Sequence, residues 1–366
     1  MKITLVALGS RSAGPVYSFQ MAQALSKQNN VELQIIISNE VDNMKSWDGA
    51  FQNNHKVSFH KIDTYKHNTK SVIMSFLNPS KICKLIKLIN GYKPDVVYCP
   101  FGLMWSSFVF PFIKKAMIIT TVHDPHPYTH GYTLGQFLLA NVGFLGERYV
   151  AGRIVLNNND ADFVAKKFNC KVAVIPHAAY SFYLPAEYKN KETVTHKIAF
   201  MGRIDVYKGV DILVRAHKML KTKGVKLLIA GFGQIDGETM SIIQSDSNID
   251  LQNRYIANEE IPALMEDIDI VVLPYTNATQ SGVIPMAFAF GKTVIATNVG
   301  SLSEQVPYGT GILVLPKAEE IASAIDQMYA NEAMIIDYSK NAKSYADSEL
   351  TWEHSADLLV GFAQSL

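Results

Sequence analysis

Residues 269–306 read DIVVLPYTNATQSGVIPMAFAFGKTVIATNVGSLSEQV, and the whole chain is best read outward from them. Ile270 to Leu273 is an unbroken aliphatic run, the pattern of a strand buried on both faces. Pro274 ends it, and a small polar loop from Thr276 to Gly282 leads into an apolar helix expected over Pro285 to Phe290. Gly291 can stop that helix, Thr293 to Thr297 forms the next strand, and Gly300 opens a second loop-to-helix junction ending near Glu304. Such junctions expose unpaired backbone N–H groups at the positive end of a helix dipole. The stretch therefore predicts neighbouring helix starts able to hold phosphate or another anion.

The rest of the chain repeats the same alternation. Ile3 to Leu8 is an apolar strand, Gly9 to Gly14 a glycine-containing loop, and Val16, Phe19, Ala22 and Leu25 the apolar stripe of a helix with Pro15 in its first turn. Val31 to Ile37 follows as a strand. The G-x-G-x-x-G spacing is absent, so no dinucleotide site is indicated, yet a turn at a strand's carboxyl end is where ligands approach open α/β sheets. Residues 39 to 78 read as polar loops. Ile82, Leu85, Ile86 and Ile89 then mark a helix, with strands at Asp95 to Cys99, Ile118 to Val122, Arg153 to Leu156 and Val172 to Ile175. A polar stretch at 180–195 has the composition of a linker. Beyond it the alternation restarts with strands at His196 to Met201 and Lys226 to Ala230 around a helix carrying Val210, Leu213, Val214, His217 and Leu220.

With 366 residues the chain exceeds what one core usually serves, and two runs of β/α alternation predict two doubly wound domains facing across a cleft. The expected division is 1–180, 181–348 and a final helical segment, 349–366. Lys and Arg number 34 against 33 acidic residues, so bulk charge gives no support for nucleic-acid binding. The three cysteines suit neither a disulfide framework nor a zinc motif and fit a reducing cytoplasm. No signal peptide or spanning apolar run is read. Lys81, Lys84 and Lys87 share one helix face, which is either simply solvated or drawn to an anionic membrane.

Two places carry candidate chemistry. Arg203 and Lys208 follow a strand end and can neutralise a diphosphate, the first by a fork of donors and the second as a point charge. His123 stands at the carboxyl end of another strand, in a loop stiffened by Pro125 and Pro127. His126 and His130 lie nearby, but no further cluster supplies ligands, so no metal is expected.

The runs MGRIDVYKGVDILVRA (201–216), IAGFGQ (229–234) and DIDIVVLPY with QSGVIPMAFAFGKTVIATNVGSLSEQV (267–306) resemble the family 4 glycosyltransferases, retaining enzymes of GT-B fold. Weaker marks agree: the Gly9 to Gly14 loop, His123-Asp124, Ile175 to His177, and LTWEHSADLLVGF at 350–362. The resemblance implies that Arg203 and Lys208 hold the diphosphate of a nucleotide-sugar and stabilise its departure, aided by backbone amides at Ser281, Gly282 and Val283. It implies that His123 approaches the transferred sugar, that Gly14 leaves room for phosphate and acceptor, and that Gly231 lies on the donor side. No cofactor or metal is implied. The helix beginning near Trp352 is expected to return to the first domain.

The chain departs from the pattern at the family's paired glutamates, which fall on Ala278 and Met286; Gln280 and Glu304 are the groups that could stand in. A loop reading A-T-Q-S-G is similar to that of enzymes from bacterial surface-polysaccharide pathways. The reading is a retaining transferase, cytoplasmic or at the inner face of the membrane. It takes a nucleotide-sugar donor and a saccharide or lipid-linked saccharide acceptor, in polysaccharide biosynthesis. A sugar-nucleotide 2-epimerase of the same fold, or a non-catalytic partner in polysaccharide assembly, are the alternatives.

Overall fold

The computed structural model describes residues 1–366 except 12, 66–70, 72–74, 77, 127–143, 186 and 189–192. The chain divides into two compact units, Met1–Pro176 with Trp352–Leu366, and His177–Thr351.

The first unit is built on seven strands: β1 (Lys2–Ala7), β2 (Glu32–Ser38), β3 (Val57–Ile62), β4 (Val96–Cys99), β5 (Met117–Val122), β6 (Val150–Val155) and β7 (Lys171–Val174). They pair in the order β3-β2-β1-β4-β5-β6-β7, every pair parallel. Parallel strands are covered on both faces, which is why β1, β2 and β4 are almost wholly buried and read as continuous aliphatic runs. On one face Leu85 and Ile89 of the helix Pro79–Tyr92 pack with Val6, Val97 and Trp105. The helix Trp352–Ser365 belongs to this unit and lies against the helix Ala13–Lys27. The Trp352 ring meets Tyr17 edge-on at 4.8 Å, while Lys27 pairs with Glu353 at 2.7 Å and Gln28 donates to Asp357 at 2.7 Å.

The second unit has six strands: β8 (Lys197–Met201), β9 (Lys226–Gly231), β10 (Ile249–Asn253), β11 (Ile270–Leu273), β12 (Thr293–Thr297) and β13 (Gly311–Val314). Their order is β10-β9-β8-β11-β12-β13, again all parallel. The two-fold reading of a doubly wound α/β architecture thus holds within each unit.

Three strands differ from the sequence expectation. β3 lies in the span read as loops, and β10 and β13 were not picked out. All three are sheet edges; polar residues interrupt β3 and β10, and β13 is only four residues long. Both sheets reverse strand order at one place, between β1 and β4 and between β8 and β11. In open parallel sheets the ligand crevice lies outside the carboxyl ends of the strands at such a switch point.

Candidate active site

In the second unit the switch point is formed by the turns after β8 and β11. Gly202 leaves β8 with φ +119, Arg203 follows, and a short 3-10 turn over Val206–Lys208 is closed by Gly209 at φ +65 before the helix Val210–Met219. Gly209 is demanded twice over, because a Cβ there would stand 2.0 Å from the Pro274 carbonyl oxygen. The same contact brings the loop after β11 alongside. Thr276 donates its N–H to the Tyr207 carbonyl at 2.8 Å, and its hydroxyl reaches the same oxygen at 3.3 Å.

These contacts fix both cations. The Lys208 ammonium stands 3.7 Å from the centre of the buried Tyr275 ring and 5.1 Å from that of Tyr207. No carboxylate among the described residues pairs with it. Arg203 is exposed and lies 3.4 Å from both an Asp205 oxygen and the Tyr207 hydroxyl. An exposed ion pair of that length contributes about 0–1 kcal/mol.

Tyr275 joins this corner to the Ala278–Gly282 loop, its hydroxyl lying 3.2 Å from Ser281 Oγ. Gln305 grips the other side: its Oε1 accepts the Ser281 N–H at 2.7 Å and its Nε2 donates to the Ser281 carbonyl at 3.0 Å. The Val283 N–H in turn donates to Ser281 Oγ at 3.2 Å. Two of the three amides expected to face a phosphate are therefore already bonded, one to Gln305 and one to Ser281, and the Gly282 N–H is the one left without a partner among the described residues. Gly282 packs on the Tyr180 ring, whose hydroxyl bonds Nε2 of the buried His177 at 2.9 Å.

The helix starts also differ from expectation. The apolar helix runs Val283–Ala289, so Val283 opens it. The one after Gly300 is a single turn, Leu302–Gln305, too short to sum an appreciable dipole. Glu304 is half-buried within that turn. Gly300, at φ +53, carries its Cα where a Cβ would meet the Ala278 carbonyl oxygen at 1.5 Å. Ala278 and Met286, the positions lacking acids, are both buried, at 2% and 7% exposure, so an acid at either would be taken out of water. Gln280 remains the polar group nearby, and its buried Oε1 has no hydrogen-bond partner. Gly231, at φ +152, lets β9 approach the Gly202 carbonyl oxygen, 1.8 Å from where a Cβ would sit. That contact accounts for the glycine on structural grounds.

The first unit has a different chemistry at its switch point. His123, just past β5, stacks on Phe101, just past β4, with ring centres 3.8 Å apart and planes at 13°. Tyr17 meets both rings edge-on, at 5.6 and 5.2 Å. The His123 Nε2 lies 2.8 Å from the Pro100 carbonyl oxygen, an acceptor only, so Nε2 carries the hydrogen and Nδ1 is the free acceptor. Burial lowers the His123 pKa to about 4, only partly offset by the Pro100 bond and Asp124, and burial likewise pushes the Tyr17 phenol up to about 12. The cluster is neutral near pH 7. Gly14 lies inside the first turn of the helix Ala13–Lys27 and not in a loop, and a Cβ there would touch the Phe101 ring at an ordinary 3.7 Å.

The structure thus places Arg203, Lys208, Gly231, Gln280, Ser281, Gly282, Val283 and Glu304 in the second unit, with contacts through Tyr275 linking Lys208 to Ser281, and Gly14 with His123 in the first. Sequence reasoning missed Tyr275, Gln305 and Phe101. Tyr275 and Phe101 share a signal, an aromatic one residue beyond a proline that ends a buried strand; Gln305 had none.

A cavity of about 560 Å³ lies at the other end of the second sheet, among Thr195, Asp269, Lys292 and Ser339. Glu266, Asp267, Asp269 and Asp347 outnumber Lys292, Lys340 and Lys343 on its wall, so it does not favour an anion. Among the described residues no group of His, Cys, Asp and Glu could hold a metal ion, and no helix is long and apolar enough to cross a membrane. His130 lies outside the described residues.

Residues 195–331 match the family described as Glycosyl transferases group 1. A D-inositol 3-phosphate glycosyltransferase of Pseudarthrobacter chlorophenolicus is 28% identical over 176 residues, which cover 45% of this chain and 42% of that protein. This chain spans less than half the length of the curated relatives it matches. Among solved structures, sucrose-phosphate synthase from Thermosynechococcus elongatus aligns with TM-score 0.72 at 17% identity, over 100% of this chain and 98% of that one. HepE of Anabaena, in complex with UDP and glucose, aligns with TM-score 0.72 at 16% identity over 100% of both. At these identities the likeness establishes the fold, GT-B, with its two Rossmann-like units.

Proposed function

We propose that the chain is a retaining glycosyltransferase of the family 4 type, moving a sugar from a nucleotide-diphosphate sugar to a hydroxyl of a saccharide or lipid-linked saccharide. The observation that carries the reading is the Lys208 ammonium, held over Tyr275 at the switch point with Arg203 on the same turn and no carboxylate paired to it among the described residues. The match of residues 195–331 and the UDP complex of HepE support the same donor class.

On this reading Arg203, Lys208 and the Gly282 N–H receive the diphosphate, and they stabilise the charge that grows on it as the bond from the sugar's anomeric carbon to the phosphate oxygen breaks. The acceptor oxygen bonds that carbon on the same face, and its proton passes to the departing phosphate oxygen. Positive charge from Arg203 and Lys208 takes the part a metal plays in other transferases. Nδ1 of His123 accepts from a hydroxyl of the transferred sugar, and the orphaned Gln280 Oε1 accepts from another sugar or ribose hydroxyl. The setting we propose is polysaccharide biosynthesis in the cytoplasm.

Calorimetry with a panel of nucleotide-sugars tests the claim. Arg203→Ala with Lys208→Ala should weaken donor binding at least about 100-fold, since two charge-assisted contacts of about 1.5–3 kcal/mol each are removed. Unchanged binding and transfer would sink the diphosphate assignment. Incubation without acceptor separates the epimerase, which would change the sugar itself. Failure of the intact chain to bind any nucleotide-sugar would favour the non-catalytic partner.

A further inference from the structure

We propose that one face of the first unit docks on an anionic lipid bilayer. The face is formed by the helix Pro79–Tyr92, the segment Ser106–Phe112, the Lys114-Lys115 pair and residues 144–149. Its charge is one-sided: residues 78–117 and 144–149 together hold six lysines and Arg148 against two carboxylates, Asp95 and Glu147, and Glu147 is paired with Arg153, whereas the whole chain is nearly neutral at +1. Asp95 accepts the Lys2 backbone N–H at 2.7 Å. The helix turns Ile82, Leu85 and Ile89 inward and leaves Lys84 and Lys87 exposed on its outer side.

Apolar groups stand among these cations. Phe108, Phe112, Leu145 and Tyr149 are 46%, 60%, 60% and 37% exposed. Backbone and side-chain bonds make the surface continuous. Asn90, at the end of the helix, donates to the Phe112 carbonyl at 2.9 Å and accepts the Lys114 N–H at 3.0 Å. Gly146 donates to Ser107 Oγ at 3.0 Å and presses so closely on Ser106 that a Cβ would lie 2.6 Å from its carbonyl carbon, which ties the 144–149 segment to the one carrying Phe108.

Lysines around exposed phenylalanine and leucine match the bilayer interface. The ammonium groups meet lipid phosphates while the apolar side chains enter the boundary between headgroups and acyl chains. Exposed aromatics alone could stack on bases, but Leu145 gains nothing there and gains by leaving water. The contact is superficial, since no described helix can span the bilayer. It is independent of the donor reading, as none of these residues belongs to the candidate active site.

Co-sedimentation of the full chain with vesicles tests it, using phosphatidylcholine alone and phosphatidylcholine with phosphatidylglycerol. The chain should partition onto the anionic vesicles, poorly onto the neutral ones, and less as salt rises. Reversing four lysines (K84E, K87E, K114E, K115E) should reduce partitioning at least about tenfold, given roughly 1 kcal/mol per cation near an anionic surface. Phe112→Ser with Leu145→Ser should weaken it further while leaving the salt dependence in place. Thermal melting and nucleotide-sugar binding of both variants should match the parent, which separates lost docking from lost folding. No partitioning onto either vesicle, as an acidic protein partner would give, equal partitioning onto both, or indifference to the charge reversals would overturn the proposal.

Discussion

The two units place comparable turns at their switch points and fill them by opposite means. After β8 the turn is fixed by backbone against backbone: Gly209 under the Pro274 carbonyl and Gly231 under the Gly202 carbonyl, with two cations presented above. After β1 and β5 the corner is fixed by side chains, the Phe101–His123 stack with Tyr17 at its edge, and it is uncharged. A glycine in the first corner is therefore a convenience, whereas in the second it is a requirement. The difference also separates a surface that presents two cations from one lined by an uncharged ring cluster.

The sharpest way to break this contrast is to add one methyl to each corner. Gly209→Ala forces a left-handed residue with a side chain into the Pro274 carbonyl, and should destabilise the second unit by at least about 2 kcal/mol. Gly14→Ala meets only ordinary contacts inside a helix and should be neutral or stabilising by about 0.5 kcal/mol. Urea unfolding of the two variants checks both signs. Should Gly14→Ala stay folded yet lose acceptor or donor binding, Gly14 would be a ligand position after all, and the two corners would be more alike than their packing suggests.

A smaller effect is expected at Gln305, which holds the Ala278–Gly282 loop by both backbone groups of Ser281. Gln305→Ala leaves a half-buried N–H and C=O without partners, at a cost of about 1–2 kcal/mol. That cost should appear chiefly as weaker nucleotide-sugar binding, about tenfold, because the loop loses the shape that presents the Gly282 N–H. Gln305→Glu keeps the acceptor and loses the donor, so it should fall between. If calorimetry finds both variants equal to the parent, the loop is held by Tyr275 and Gly300 alone.

What sequence could and could not reveal follows the same physical line. Central strands such as β1, β4, β8 and β11 are buried on both faces, so their aliphatic runs stand out and the doubly wound architecture can be read directly. The edge strands β3 and β10 are half wet, and polar residues such as Ser58, His60, Asp250 and Gln252 hide them, whereas β13 is a four-residue apolar run, Gly311–Val314, too short to stand out. Arg203, Lys208 and His123 were legible because turns at strand ends limit where charge can serve. Gln305 was not, because its role exists only when the loop after β11 folds back beside it. Gly14 was misplaced for a related reason: the helix starts at Ala13, earlier than the glycine spacing suggested.

The finest test of the contrast is the protonation of His123. Its folded pKa is lowered from 6.5 to about 4, first by burial, with the Pro100 bond and Asp124 acting the other way. Between those values the unfolded chain binds a proton at this position that the folded chain refuses, so folding stability must fall as pH drops from 6.5 towards 4 and the loss levels off below. At higher pH both states are neutral here and the group contributes no slope. His60 is shifted the same way by burial, so the acid-side slope of the parent alone does not isolate His123. His123→Gln removes the titration while retaining an amide N–H for the Pro100 carbonyl, and the difference between parent and variant does isolate it. The variant's urea midpoint should decline less over this window; equal declines would mean that His123 takes up its proton in the fold as readily as in the open chain, and that the first corner is wetter than its ring stack implies.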